Sequence, residues 1–181
     1  TVKETGTDGM GYTLDKTAYT VTVTIEDEDR DGKLEITEAY SVGATSKDEI
    51  KFTNEYTADG KTHVDAKKTV NGKTPSGEEE FTFKLEPLNN APLRKSATEN
   101  YTEAELTKKN SGEEITFPEL YYVFSDIGET YKYQVTEQGT DGDGYELDAT
   151  IYTVEIEVKD TVRDGKLEFV QTIKVGDAEK D

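Results

Sequence analysis

The sequence predicts an all-β protein, an antiparallel sandwich assembled from a repeated unit. Three observations carry that reading. Apolar and polar residues alternate with a period of two, as where Tyr19, Val21, Val23 and Ile25 interleave with Thr20, Thr22 and Thr24; a strand with this pattern has one apolar and one solvated face. Asp-Gly and Asn-Gly steps at Asp8-Gly9, Asp31-Gly32, Asp59-Gly60, Asn71-Gly72, Asp141-Gly142 and Asp164-Gly165 supply turns between such runs. The chain also repeats itself: residues 1–48 recur as 134–181 at a constant offset of 133, with 25 identities in 48 gap-free pairs.

Along the chain, the first strands are expected around Val2 and over Tyr19–Ile25, and a further period-two run follows at Ile50, Phe52 and Tyr56. The stretch Thr57–Lys61 (TADGK) sits where one unit hands over to the next and reads as the linker. Residues 1–57 are thus expected to be the C-terminal part of one unit of about 133 residues, and 58–181 most of the next, lacking its last strand. The second part opens with Val64/Ala66/Val70 and Phe81/Phe83/Leu85. A polar insertion between Glu86 and Glu113 carries the one short helix expected, opened by the T-x-x-E capping box of Thr102 and Glu105 and ended by Gly112. Strands at Ile115/Phe117, at Tyr131/Tyr133/Val135 and at Tyr152/Val154/Ile156/Val158 follow.

Composition narrows the function. Forty Asp and Glu against 21 Lys and Arg give a net charge of −19, so nucleic acid and anionic membrane surfaces are repelled by the whole-molecule field. Without Cys, and with the single histidine His63, disulfides, thiolate sites and multi-histidine metal centres are excluded, and no cofactor is expected. No stretch approaches the ~20 apolar residues of a membrane span, and no secretory leader opens the chain. The opening residues read like the middle of a longer protein.

Three polar side chains fall on apolar faces. In HVDAKKTV the inward set is Val64, Ala66, Lys68 and Val70; in YKYQVTE it is Tyr131, Tyr133, Val135 and Glu137, with Val2 and Glu4 as the first copy; in IKFTNEY it is Ile50, Phe52, Asn54 and Tyr56. Burying such groups separately costs several kcal/mol each, so they are expected to meet. An apolar setting favours the neutral forms of an amine and a carboxylic acid. A neutral lysine can then attack the asparagine side-chain carbonyl while the glutamic acid relays protons and ammonia leaves, a single self-crosslinking event rather than turnover of an external substrate.

These residues resemble a known family. HVDAKKTVNGK, EFTFKL, YQVTEQGTDGDGYELD and IKFTNEY are similar to the isopeptide-forming repeat of Gram-positive pilins and surface adhesins, related to the B-type domains of collagen-binding adhesins. The most specific elements are Y-x-V-x-E with a following G-Y, at Tyr133, Val135, Glu137 and Gly144-Tyr145, and F-T-N-x-Y over Phe52–Tyr56. The resemblance implies an Ig-like sandwich with Lys68 as the reactive lysine, Glu137 and Glu4 as the assisting acids and Asn54 as the acceptor. It implies a structural stalk or shaft domain on an extracellular, cell-wall-anchored protein, with neighbouring repeat units of the same fibre as partners and host surface or matrix ligands met through other parts of the protein. Lys68 and Asn54 fall in different units. Because the resemblance also implies parallel first and last strands, residues 57–63, which span at most about 25 Å, are too short for Asn54 to serve Lys68 of its own chain. Exchange of a last strand between neighbouring molecules stays open.

Rival readings exist. Asp27–Glu38 fits the EF-hand loop, with candidate ligands Asp27, Asp29, Asp31 and Glu38, which would make the chain a Ca²⁺-binding module. YTVTVTI before it alternates as a strand, however, and the second copy lacks ligands at the positions of Asp29 and Glu38, so a hairpin turn is expected. A ligand-binding adhesin domain without a crosslink is a further alternative, with Tyr121, Tyr122 and Phe124 as a possible surface cluster. Paired carboxylates could serve glycoside hydrolysis, but with 40 acidic residues a close pair is expected from composition alone, and a satisfied buried ion pair is the plain alternative for Lys68 and Glu137. His63 is expected to be exposed.

Overall fold

The computed structural model describes residues 1–176 and 178–180, the last by its backbone alone, and the chain divides into two compact units, Thr1–Thr57 and Ala58–Asp181. Unit 1 holds β1 (Val2–Lys3), β2 (Tyr12–Thr13), β3 (Ala18–Glu26), β4 (Glu35–Val42), β5 (Thr45–Lys47) and β6 (Glu55–Tyr56). An antiparallel sheet of order β1-β3-β4-β5 forms its body, and β2 pairs with β6.

Unit 2 holds β7 (Asp59–Thr62), β8 (Asp65–Lys67), β9 (Thr82–Leu88), β10 (Thr107–Lys109), β11 (Glu114–Thr116), β12 (Leu120–Val123), β13 (Thr130–Gln138), β14 (Tyr152–Lys159), β15 (Glu168–Val175) and β16 (Ala178–Lys180). A six-stranded antiparallel sheet of order β10-β9-β13-β14-β15-β16 forms one layer, and the pairs β8–β11 and β7–β12 form the other. Alternation places Leu85, Tyr133, Val135, Val154, Ile156 and Val158 of the first layer and Val64, Ile115, Phe117, Leu120 and Tyr122 of the second in the buried core. The all-β antiparallel sandwich is the observed architecture.

The two units share a register. Glu26 faces Glu35 where β3 meets β4, and the residues 133 further on, Lys159 and Glu168, face each other where β14 meets β15. Their surroundings differ. Val158 is fully buried in unit 2, whereas its counterpart Ile25 is 58% exposed, because unit 1 has no second layer within its own residues.

Two expected elements differ. Thr57–Lys61 is not a linker throughout: Asp59–Thr62 is β7, paired with β12 from Val123 back to Leu120. Asp59-Gly60 is strand rather than turn because the Phe169 ring and Leu167 lie where a Cβ on Gly60 would be, at 3.0 and 3.1 Å. The insertion forms one 3₁₀ turn, Glu103–Leu106, not an α-helix. The capping contacts are made, with the Glu105 carboxylate accepting from the Thr102 N–H and hydroxyl at 2.9 and 2.7 Å, but Leu106 turns into the core and Thr107–Lys109 pairs with β9. Elsewhere Asn71-Gly72 makes the expected two-residue turn, with positive φ at both residues and Val70 bridged to Lys73. The turn near Asp8 instead centres on Met10-Gly11 and its repeat on Asp143-Gly144, again with positive φ at both positions.

Candidate functional site

In unit 2, β8 runs antiparallel to β11, and the Lys68 N–H donates to the Glu113 carbonyl at 2.8 Å, carrying the ladder one residue past the strand. Val64, Ala66 and Lys68 therefore point inward, while Lys67 faces water and pairs with Glu113 and Glu114. Across the core, Glu137 stands on β13 opposite Phe83 of β9. Lys68 Nζ donates to Glu137 Oε2 at 2.9 Å, with 12% and 4% of the two side chains exposed, and the Phe81 ring centroid lies 4.5 Å from the amine. Glu137 Oε2 also accepts the Asp148 N–H at 3.2 Å. The Thr150 hydroxyl and N–H hold the Asp148 carboxyl below the usual range, with Lys68 adding to the effect.

In unit 1, Asn54 precedes β6 and Glu4 follows β1. Asn54 Nδ2 donates to Glu4 Oε1 at 2.9 Å, while Asn54 Oδ1 accepts the Asp15 N–H at 2.9 Å. That N–H also lies 3.2 Å from Glu4 Oε2, the same contact Asp148 makes to Glu137. Asp15 Oδ2 accepts the Thr53 N–H at 2.9 Å, and Thr17 together with this contact holds its carboxyl low. The Tyr19 hydroxyl donates to the Lys51 carbonyl at 2.7 Å, and Phe52 meets the Tyr19 ring edge-on at 5.3 Å.

All four sequence-selected residues thus fall into polar contacts, two in each unit. The offset of 133 relates Glu4 to Glu137, Asp15 to Asp148, Thr17 to Thr150 and Tyr19 to Tyr152. One carboxyl holds an amide and its equivalent holds an amine. In unit 1 the Asn54 carbonyl takes a backbone N–H while its amide nitrogen rests on the carboxylate, and in unit 2 the equivalent carboxylate holds a lysine amine.

Asp15 and Asp148 were not singled out by the face pattern, although Leu-Asp recurs at Leu14-Asp15 and Leu147-Asp148 in both copies. A second polar group also escaped it. Asp126 is buried and accepts from Arg94 at 2.5 and 3.2 Å, from the Val123 N–H at 2.8 Å and from the Tyr131 hydroxyl at 2.7 Å. Burial pushes its carboxyl up, but Arg94 and these donors together hold it below the usual range; burial and Asp126 push Tyr131 up to about 12.

The other candidates separate. Carboxylate oxygens of Asp27, Asp29 and Asp31 lie within 4.8 Å of one another, but β3 and β4 flank the loop where an EF-hand needs helices. Glu38 lies within β4, outside that cluster, and accepts the Tyr40 hydroxyl at 2.6 Å. Tyr122 is core and bonds Tyr133 at 3.0 Å, so Tyr121, Tyr122 and Phe124 do not form one surface. His63 is exposed and lies 3.0 Å from Asp65.

In a comparison with known families, the model of the Spy0128-like isopeptide containing domain, FctA, matches residues 1–57 and 64–181. No curated protein matches the chain.

Proposed function

The chain belongs to the Spy0128-like isopeptide-containing family of Gram-positive pilin domains, and from that premise we propose that it is a shaft module of a surface fibre, crosslinked by a Lys-Asn bond in each complete unit. The offset of 133 assigns residues 1–57 to the later part of one unit and 58–181 to most of the next in a tandem array. The observation that carries the proposal is the equivalence of the two carboxyls: Glu4 holds Asn54 and Glu137 holds Lys68, each at 2.9 Å.

In a unit completed by a strand like Ile50–Tyr56, proton transfer from Lys68 to Glu137 leaves a neutral amine beside a carboxylic acid. The amine nitrogen attacks the asparagine side-chain carbon, and the C–N bond to the amide nitrogen breaks. The acid returns its proton to the departing nitrogen and takes one from the new amide, so ammonia leaves and the glutamic acid can pass its proton on. The step happens once per unit and needs no cofactor. Closing a loop of about 120 residues stabilises the unit by about 5 kcal/mol in the chain-entropy account used for disulfides, and the amide cannot be reduced. Tension applied at the unit's ends passes through the bonded first and last strands, a mechanical role suited to a cell-wall-anchored fibre that presents host-binding parts elsewhere in the protein.

A chain extended beyond Asp181 by the counterpart of Glu49–Tyr56 tests this by intact mass. The expected product is lighter by one ammonia, and Glu137→Ala keeps the full mass. A folded extended chain of unaltered mass overturns the mechanism and leaves Lys68 and Glu137 as a buried ion pair.

A further inference from the structure

The Leu-Asp step common to both copies, Leu14-Asp15 and Leu147-Asp148, takes no part in the proton transfers described above, yet in unit 1 its aspartate grips the acceptor asparagine at two points. The Asp15 N–H donates to Asn54 Oδ1 at 2.9 Å, and Asp15 Oδ2 accepts the N–H of Thr53, one residue before Asn54, at 2.9 Å. The remaining carboxylate oxygen, Oδ1, accepts the Thr17 N–H at 2.8 Å and so fixes the direction of Oδ2. Asn54 Nδ2 meanwhile donates to Glu4 Oε1 at 2.9 Å. An amide oxygen only accepts and its nitrogen only donates, so these contacts set which way round the carboxamide stands, with nitrogen on the glutamate and oxygen on the aspartate N–H. In unit 2 the same framework surrounds the amine. Asp148 Oδ1 accepts the Thr150 N–H at 2.9 Å, the Asp148 N–H lies 3.2 Å from Glu137 Oε2, and that oxygen takes Lys68 Nζ at 2.9 Å.

We propose that Asp148 is a positioning residue for the crosslinking reaction, orienting the acceptor asparagine of the completed unit 2 as Asp15 orients Asn54. This rests on the reading of Lys68 and Glu137 as a reactive pair. The carboxylate acts on the strand: by holding the backbone one residue before the asparagine, it sets the distance from the side-chain carbon to the amine. The N–H acts on the carboxamide. With the oxygen held there, the nitrogen stays on the glutamic acid, so the group that must leave faces the group that supplies its proton. When Lys68 Nζ adds to the side-chain carbon, the C=O electron pair moves to that oxygen and returns as the C–N bond breaks and ammonia leaves. The Asp148 N–H lies where this charge gathers and stabilises it without giving up its proton. Local anchoring is otherwise sparse, since in the β-ladder segment 50–56 pairs only at Tyr12↔Tyr56 and Thr13↔Glu55, which is why the aspartate matters for aim.

The test follows the rate of ammonia loss by intact mass in the extended chain described above, on refolding from denaturant. Asp148→Asn keeps the backbone N–H and an oxygen for Thr150 but offers no second acceptor. It is expected to slow the loss by about 100-fold, the cost of an ångström-scale misplacement, and to let it run to completion. Asp15→Asn, the same change in unit 1 away from Lys68, is expected to leave the rate unaltered, which separates aim from stability. If Asp148→Asn fails to fold, Thr150→Val, which removes the hydroxyl on the Asp148 carboxyl, takes its place with a smaller slowing expected. In the chain without the extension, Asp15→Asn is expected to speed hydrogen exchange at the Thr53 N–H about tenfold, the worth of a hydrogen bond to a charged group, while the Thr57 N–H on the Gly11 carbonyl keeps its rate. An unaltered crosslinking rate in the folded unit 2 variant, or unaltered exchange at Thr53, overturns the positioning role and leaves the reactive pair standing. An unaltered extended chain that keeps its full mass overturns the reactive pair and this role with it.

Discussion

Lys68 and Glu137 show how one alternating pattern exposes a site. Each interrupts an apolar face at a position where period two demands an inward side chain, and each is nearly sealed from water. Glu4 and Asn54 were legible for the same reason, helped by the repeat of Val-x-Glu. Asp15 and Asp148 were not, because they lie outside the strands, where no alternation marks a face; each gives its backbone N–H to a glutamate, and Asp15 also accepts the Thr53 N–H. Arg94 and Asp126 escaped because they are 32 residues apart and their meeting depends on how the insertion folds back. Their pairing makes a definite prediction. Asp126→Asn leaves a largely buried guanidinium without its charge partner and is expected to cost about 2 to 3 kcal/mol at neutral pH. Because the Asp126 carboxyl titrates lower when folded than when unfolded, its contribution is fully present above the unfolded value of about 4 and is lost as pH falls through the folded value. Thermal melts of both proteins across pH 7 to 2 are therefore expected to converge below about pH 4.

Strand hairpins were the most legible elements, since Thr20–Ile25 and its copy declare both period and face. The misjudged ones were decided by distant neighbours. Asp59-Gly60 carries a turn signal in isolation, yet Phe169 and Tyr122 need a strand with no side chain at Gly60. The capping box at Thr102 formed its local hydrogen bonds, but pairing of Thr107–Lys109 with β9 overrode helix propagation after a single turn. The two equivalent hairpins allow a paired experiment. Val158→Thr buries a hydroxyl within a packed core and is expected to cost about 1 to 3 kcal/mol, whereas Ile25→Thr on the exposed counterpart face is expected to stay within about 0.5 kcal/mol. Denaturant titration of each variant measures the difference; equal costs would mean that the face of unit 1 is covered in solution.

At the scale of the whole molecule, the charge of −19 governs how copies meet. Two such molecules repel one another within a Debye length of ~10 Å at 0.1 M salt and are screened beyond it, so the repulsion between copies in solution is expected to weaken as ionic strength rises. The second virial coefficient from light scattering at several salt concentrations checks this. Calcium and magnesium at equal ionic strength are expected to act alike, because Asp27, Asp29 and Asp31 lie in a hairpin loop rather than in a helix-flanked cage; a calcium-specific rise in melting temperature would reverse that. The turn at Met10-Gly11 has a different bearing on the whole molecule. Met10 is the chain's one sulfur-bearing residue, there is no Trp, and Met10 is 66% exposed. Peroxide or hypochlorite reaching the protein finds its one thioether outside the core, where conversion to the sulfoxide adds a polar oxygen already in water. An oxidative burst would mark the surface of this protein and leave its interior chemically intact.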